Sequence, residues 1–395
     1  MATSLSDLTT TVESALSSLP PSDKIEDAER MRLLGIINQL QTALEPPLLS
    51  IQRLCFSHYG IVAVRVAQGM GVFDSFVEAQ GTEMTLAELS SKTKGDEALL
   101  KRIMRYLCAH HIFKETTQNT YQPLPLAMIF GTGSVPGDMI KHFHTNLQVT
   151  AKMFEYFEKN GYKNPEDLND APFQLAYNTR DTYFEWLQKN PTEQQVFNSV
   201  MTESLQYCGK DWFNIYPVPE KLKCSPSRVL LVDIGGGVGH DIIAFRKQFP
   251  ELPGKLVVQD LAHVIDDIQE PLPDSITAVA HNMFDPQPFR GAKSYYMRTV
   301  LHDFPDRQVV AALSRIREAM AEDSILLIHE HTVPEGPNMP PLAATLDLHM
   351  MEIFSSLERT EEQWIALLEK AEFKVNKIWK DQSNAHHTAL FEATL

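Results

Sequence analysis

Apolar and polar positions change rhythm along this chain. From Ile25 to Leu44, the residues Met31, Leu34, Ile37, Leu40 and Ala43 recur at the spacing of an amphipathic helix, which Pro46-Pro47 stops. The Ser- and Thr-rich stretch before it, residues 1–22, reads as a loose lead-in ending in Pro20-Pro21. Further helical patterns run to about residue 78. Residues 82–126 read helix, turn, helix and short hairpin, the order of a winged helix. Thr85 and Glu88 have capping-box spacing there, and Asp96 stands where it caps a second helix with Leu99, Ile103 and Leu107 on one face. Residues 140–222 stay helical and are dense in aromatics, among them Phe143, Phe154, Phe173, Tyr177, Tyr183, Phe184 and Phe197. A helical core explains such rings, and a subset facing a cleft would grip a flat apolar ligand.

From about residue 226 short aliphatic runs take over. RVLLVDIG (228–235), KLVVQD (255–260), ITAVAHNM (276–283), KSYYMRTV (293–300) and SILLIHEHTV (324–333) predict strands, with helical patterns such as 306–321 between most of them. Strands alternating with helices predict an α/β fold, a doubly wound and mostly parallel sheet. FKVNKIWKD (373–381) and HTALFEATL (387–395) follow each other closely, so a hairpin there adds an antiparallel strand.

Charge narrows the function classes. Among 395 residues, 51 acids face 35 bases, a formal net charge of −16. That balance opposes binding to a phosphate backbone, so the winged helix reads as a packing or dimerisation module and not as a nucleic-acid reader. The four cysteines, Cys55, Cys108, Cys208 and Cys224, form no CxxC pair and suggest reduced thiols in a cytoplasmic setting. No signal-peptide pattern and no membrane-length apolar run is present. His329 and His331 flank Glu330 on one predicted strand, but no third ligand stands at useful spacing, so no metal is expected.

The chemistry concentrates in LVDIGGGVGH, residues 231–240. A dinucleotide site needs G-x-G-x-x-G. Counting from Gly235 puts His240 at the third glycine, and counting from Gly236 puts Val238 at the second, so neither frame fits. What fits is Asp233 followed by Gly235, Gly237 and Gly239 in a G-x-G-x-G run, with Gly236 inside it. Such a turn lets backbone approach an adenosine with an amino-acid tail, Asp233 facing the ammonium. Asp260, ending the next strand, is placed to accept both ribose hydroxyls.

DIGGGVGH, VVQDLAHVI, HNMFDPQP, YYMRTVLHDFPD and LLIHEH occur in this order. Together they resemble the S-adenosylmethionine-dependent small-molecule O-methyltransferases, the branch that includes plant caffeate- and isoflavone-type enzymes and fungal polyketide O-methyltransferases. The resemblance covers most of the chain. It implies a Rossmann-like methyltransferase sheet of seven strands over residues 226–395, a helical and winged-helix dimerisation domain over 1–135, and a helical substrate-lining segment over 136–225. It implies S-adenosylmethionine as cofactor, S-adenosylhomocysteine as product, a small aromatic acceptor and a homodimer.

The resemblance also implies residue roles. Gly235, Gly236, Gly237 and Gly239 line the cofactor turn, Asp260 holds the ribose, and Leu261, Met283 and Phe284 flank the adenine. Asn282 stands where the family usually has Asp, and its amide oxygen still accepts a bond from the adenine amine. Arg298, where the plant enzymes carry Lys, contacts the methionine carboxylate or its surroundings. His302 matches the catalytic base, with Asp303 after it, and Glu330 and Glu358 match the acids that orient the imidazole. A base is needed because a neutral phenol, with a pKa near 10, is a poor nucleophile. Met350 and Met351 match a segment that packs on substrate, and Phe154 is a candidate for the same wall. The rival expectation keeps the fold and changes the reaction, because some fungal relatives bind S-adenosylmethionine yet act as pericyclases or cyclases.

Overall fold

The computed structural model describes residues 4–21, 24–207, 211–268, 271–336, 339–381 and 387–395. Cys208 lies outside the described residues, and Cys55, Cys108 and Cys224 are unpaired. The chain divides into two units, Met1–His58 and Tyr59–Leu395. The first holds the helices Leu5–Ser17, Asp27–Leu44 and Pro47–Phe56. The opening stretch expected as a loose lead-in is therefore partly helical. The Ser4 hydroxyl accepts from the Asp7 N–H, and the Asp7 carboxylate accepts in return from the Ser4 N–H, a capping box that starts the helix.

The second unit begins with helices Tyr59–Met70, Val72–Glu78, Leu86–Lys92 and Glu97–Ala109, and with strands β1 (Met84–Thr85), β2 (Phe113–Thr117) and β3 (Thr120–Pro123). The strands lie in the order β1-β3-β2, all antiparallel. Phe73, Phe76, Leu89, Leu100, Met104, Leu107 and Phe113 form the core of this winged-helix module. Thr85 and Glu88 make the expected capping box, and Asp96 caps the second helix through the Leu99 N–H at 2.8 Å. The buried face of that helix is Leu100, Met104 and Leu107, with Leu99 42% exposed. The expected face was shifted by one position at its start, because Leu99 belongs to the first turn, where its N–H serves the cap.

The 25-residue helix Val135–Lys159 follows, then the shorter helices Pro172–Tyr177, Tyr183–Lys189, Pro191–Tyr207, Trp212–Ile215 and Val218–Lys221. The long helix buries Gly137, His142, Asn146, Val149 and Tyr156. Phe173, Tyr183, Leu187, Ile353 and Phe354 form one cluster with Val149, against which Phe184 and Phe197 pack.

The large sheet comprises β4 (Val229–Ile234), β5 (Lys255–Asp260), β6 (Ile276–Ala280), β7 (Ser294–Arg298), β8 (Ile325–His331), β9 (Lys374–Trp379) and β10 (Thr388–Thr394). Its order is β6-β5-β4-β7-β8-β10-β9, parallel from β6 to β8, with β10 antiparallel to both neighbours. Alternate residues bury on opposite faces, as the two-residue strand period dictates. Val232, Tyr295, Met297, Leu326 and Ile328 pack on the helices Asp306–Ala319 and Glu361–Lys370. Leu231, Val258, Tyr296 and Leu327 pack on Trp212, Phe213, Ile242 and Phe245. The strand order reverses between β4 and β7, which opens a crevice at their carboxyl ends. No single described helix is long and apolar enough to cross a membrane.

Candidate active site

The glycine turn leaves β4 at that crevice and runs into the helix His240–Gln248, whose N-cap is Gly239. Gly235 and Gly236 both donate backbone N–H bonds to the Gln259 carbonyl, at 2.8 and 3.1 Å. Gly236 is fixed by space: a β-carbon there would stand 2.6 Å from the Asp233 carboxyl and 2.8 Å from Val258. Gly235 has φ +71°, and a β-carbon would meet Val300 at 2.7 Å.

Beneath the turn, Asp233 is buried, and its Oδ2 has no partner among the described residues. Burial, with the negative charges of Asp241 and Asp260 nearby, pushes its pKa well above the usual carboxylate range. Such an acid is a ready partner for a cation. Asp260 accepts the Gly237 N–H at 2.8 Å and the Leu261 N–H at 2.7 Å, so it ties the turn to the end of β5. Each of its oxygens keeps a second lone pair for a hydroxyl. Leu261, Met283 and Phe284 are partly buried, and Asn282 is exposed. The Asn282 Oδ1 accepts the Phe284 N–H at 3.1 Å, which fixes the turn after β6 and leaves one lone pair outward.

Arg298 lies at the carboxyl end of β7. Its Nη1 donates to Asp241 Oδ1 at 2.7 Å, both side chains being largely buried. Asp241 Oδ2 in turn accepts from the Tyr296 hydroxyl at 3.0 Å. Asp241, missed in the sequence, sits in the first turn of the helix after the glycines, where an acid is favoured by the helix dipole. The guanidinium therefore anchors that helix start to β7.

The second cluster forms where β7 ends. The short turn Leu301–Asp303 carries His302, whose Nδ1 lies 3.1 Å from Glu358 Oε1. Its Nε2 lies 3.5 Å from Asp303 Oδ1, too long for a strong bond. Glu330, on β8, does not touch the ring as expected. Its Oε1 accepts the Val300 and Leu301 N–H groups at 3.1 and 2.8 Å, so it holds the backbone that presents His302. The cause is local: the chain turns out of β7 beside β8, and its freed N–H groups need an acceptor.

Burial opposes charge on His302, but the carboxylates of Asp303, Glu358 and Glu330 outweigh it and hold its pKa well above the usual histidine value. Burial pushes Asp303 up to about 7. Burial also raises Glu330, whereas for Glu358 the adjacent imidazole overcomes burial and lowers the pKa.

Residues the sequence reading passed over complete the cradle. The Asp347 carboxylate accepts the Glu358 N–H at 2.8 Å, and the Ser356 hydroxyl donates to the His302 carbonyl. Arg359, 1% exposed, donates to the Phe304 carbonyl at 2.9 Å and to Asp306 at 2.7 Å. Its adjacency to Glu358 was the available signal. Met350 is buried in the aromatic cluster and Met351 partly buried. Phe154 is 66% exposed and lies off the buried face of its helix. His329 is buried with its Nδ1 3.4 Å from the Tyr296 hydroxyl, while the His331 ring stands 6.1 Å from that of His302.

A Rossmann-like sheet with a glycine turn at its switch point, and a His–Glu pair at the neighbouring strand end, defines a group-transfer enzyme built around an adenosine-type ligand. Residues 162–374 match the O-methyltransferase domain model and residues 52–133 the O-methyltransferase dimerisation domain model, and the chain belongs to the O-methyltransferase family. O-methyltransferase mfmE of Annulohypoxylon moriforme is 35% identical over 90% of this chain and 88% of its own. Demethylsterigmatocystin 6-O-methyltransferase of Aspergillus flavus is 31% identical over 94% of this chain and 95% of its own. Among solved structures, LepI in complex with S-adenosylmethionine overlays with a TM-score of 0.88 at 25% identity, over 99% of this chain and 100% of the other. A structure described as a pericyclic reaction enzyme overlays equally well.

Proposed function

We propose that this O-methyltransferase uses S-adenosylmethionine to methylate a hydroxyl of an aromatic, polyketide-like metabolite, with His302 as general base, and that it works as a homodimer. The observation that carries the reading is the His302–Glu358 contact of 3.1 Å, one strand away from the glycine turn. The residues present fit the cofactor: the unpartnered Asp233 suits its ammonium, Asp260 its ribose, and a turn with no room for a β-carbon at Gly235 or Gly236 suits close backbone approach. When bound, S-adenosylmethionine supplies a methyl group made electrophilic by a sulfonium.

The chain's own residues handle the proton. Glu358 accepts from Nδ1–H and so fixes the tautomer that leaves Nε2 as the base. Nε2 takes the acceptor's hydroxyl proton, and the flanking carboxylates stabilise the imidazolium that forms. Asp303 at 3.5 Å leaves Nε2 open to an entering hydroxyl.

The raised His302 pKa sets the sign of the pH dependence. The protonated ring cannot accept a proton, so kcat/KM rises as pH climbs through that pKa, above the ordinary histidine value of 6.5. Glu358→Gln removes one of the charges that raise it, so the rising limb moves to lower pH while the plateau falls. A pH–rate profile checks this, and a limb that stays in place counts against the coupling.

Gly236→Ala forces a β-carbon onto Asp233 and Val258 and lowers S-adenosylhomocysteine affinity by more than about tenfold, equivalent to 1.4 kcal/mol. Isothermal titration calorimetry reads it, and unchanged affinity would remove the turn from the binding site.

The overall test is incubation with S-adenosylmethionine and a panel of phenols, naphthols and anthraquinones, with mass spectrometry counting S-adenosylhomocysteine and methylated products. Similarity to a pericyclic reaction enzyme supports a second reading, catalysis of a cyclisation on the same fold. An isomerised product without S-adenosylhomocysteine would select it over methyl transfer.

A further inference from the structure

A second histidine–carboxylate array lies outside the machinery described so far. It joins the long helix Val135–Lys159 to the helix Pro341–Phe354. His349 Nδ1 is 3.1 Å from Glu352 Oε1, which also accepts from the Thr150 hydroxyl at 3.1 Å. Glu352 is 4% exposed, and its Oε2 has no partner among the described residues. Across from it, His142 is 6% exposed, and its Nε2 lies 3.2 Å from the Asn146 amide nitrogen. The two imidazole rings stand edge to face with centroids 6.4 Å apart.

These contacts fix the proton positions. An amide nitrogen only donates, so His142 Nε2 is an acceptor and its proton sits on Nδ1. A carboxylate only accepts, so His349 carries a proton on Nδ1, and in the neutral form of the ring Nε2 offers a lone pair. Neither His142 Nδ1 nor His349 Nε2 has a hydrogen-bond partner among the described residues. The array thus offers one N–H and one lone pair. Burial pushes the His142 pKa down to about 4, so this ring stays neutral.

The array is connected to the His302 turn by aromatic rings. His142 contacts Phe197 at 6.0 Å, Phe197 contacts Phe184 at 6.0 Å, and Phe184 stacks on Phe304 at 6.2 Å, next to Asp303. The helix carrying His349 also carries Asp347, which holds the Glu358 backbone. Holding two helices together does not require two histidines, since apolar residues of similar volume would do so without burying an unpaired carboxylate oxygen.

We infer that His142 and His349, the latter oriented by Glu352, form an acceptor-recognition subsite that reads two further oxygens of a hydroxyaryl ketone. His142 Nδ1–H donates to the carbonyl, and His349 Nε2 accepts from a second hydroxyl, while a third oxygen faces His302. The inference rests on the proposed methyltransferase reading only in taking the region between these rings and His302 as the acceptor site.

The test is binding of three probes to the full chain saturated with S-adenosylhomocysteine: a dihydroxyxanthone, the matching dihydroxyxanthene without the carbonyl, and the matching monohydroxyxanthone. A site built to bond a polar group discriminates against its absence, so the dihydroxyxanthone is expected to bind at least about tenfold tighter than either of the others. His142→Phe brings the carbonyl preference to within about twofold of unity, and His349→Phe does the same for the hydroxyl preference, each leaving the other preference in place. Thermal unfolding monitors the variants, and a Leu replacement substitutes for any Phe variant that fails to fold. Equal affinity of the wild type for all three probes, non-binding included, overturns the proposal. So does survival of both preferences in both variants. Methyl transfer is scored separately. Preferences that vanish in the variants without any S-adenosylhomocysteine formed from S-adenosylmethionine would leave the subsite standing and remove the transferase reading. Turnover of all three probes without preference would do the reverse.

Discussion

His302→Ala lowers kcat/KM for methyl transfer by about 10²–10⁴-fold, the usual contribution of a positioned general base. The effect falls on kcat, because the proton is taken as the new bond forms and a contact made only then does not enter KM. S-adenosylhomocysteine affinity stays within about twofold, since His302 touches none of the residues of the glycine turn. Alanine is a useful replacement because the turn Leu301–Asp303 is held by its backbone: Glu330 receives the Val300 and Leu301 N–H groups, and Ser356 donates to the His302 carbonyl. Loss of the ring therefore leaves the turn in place. Steady-state kinetics on any acceptor found in the phenol panel reads the outcome. A variant that keeps full activity would remove His302 from the mechanism and leave methyl transfer to alignment alone.

Arg359→Met destabilises the chain by about 2–4 kcal/mol, the sum expected for losing charge-assisted hydrogen bonds to buried carbonyls. The guanidinium spans Asp306 and the Phe304 carbonyl and lies over the Trp364 ring at 4.8 Å, so one buried cation closes both ends of the segment after His302. The Asp306 side chain is 55% exposed, so its charge rehydrates and adds little to the loss. The carbonyl at Phe304 has no such remedy. Arg359→Lys recovers only part of the stability, because an ammonium cannot fork between the two partners. Urea unfolding followed by tryptophan fluorescence measures both variants. A loss below about 1 kcal/mol for the Met variant would mean that the turn is held chiefly by Glu330 and Ser356.

The sheet was legible in the sequence almost strand by strand. Parallel strands buried on both faces are continuous aliphatic runs, and runs such as KLVVQD (255–260) coincide with β5 to the residue. The glycine turn was equally legible, because its geometry excludes side chains. What failed was phase and partner choice. Leu99 and Phe154 are apolar residues on the outer side of real helices, and composition alone does not tell which side faces in. Glu330 was assigned correctly to the site's neighbourhood and wrongly to a partner. A side chain's partner depends on segments that meet only after folding, as Glu330 accepts from N–H groups 30 and 29 positions away. The His142–Glu352 array was invisible for the same reason, being assembled from two helices about 200 residues apart, the Thr150–Glu352 bond spanning 202.

Strand β10 pairs Ala389 with Glu330 and lies between β8 and β9. The acid that shapes the His302 turn thus gains its outer neighbour from a segment synthesised well after it. A nascent chain that has not yet delivered Thr388 exposes β8 as a bare edge, next to Leu326 and Ile328 with nothing alongside, which is a site for chaperone capture or aggregation. Docking of β10 therefore covers that edge and gives the strand carrying Glu330 its second neighbour.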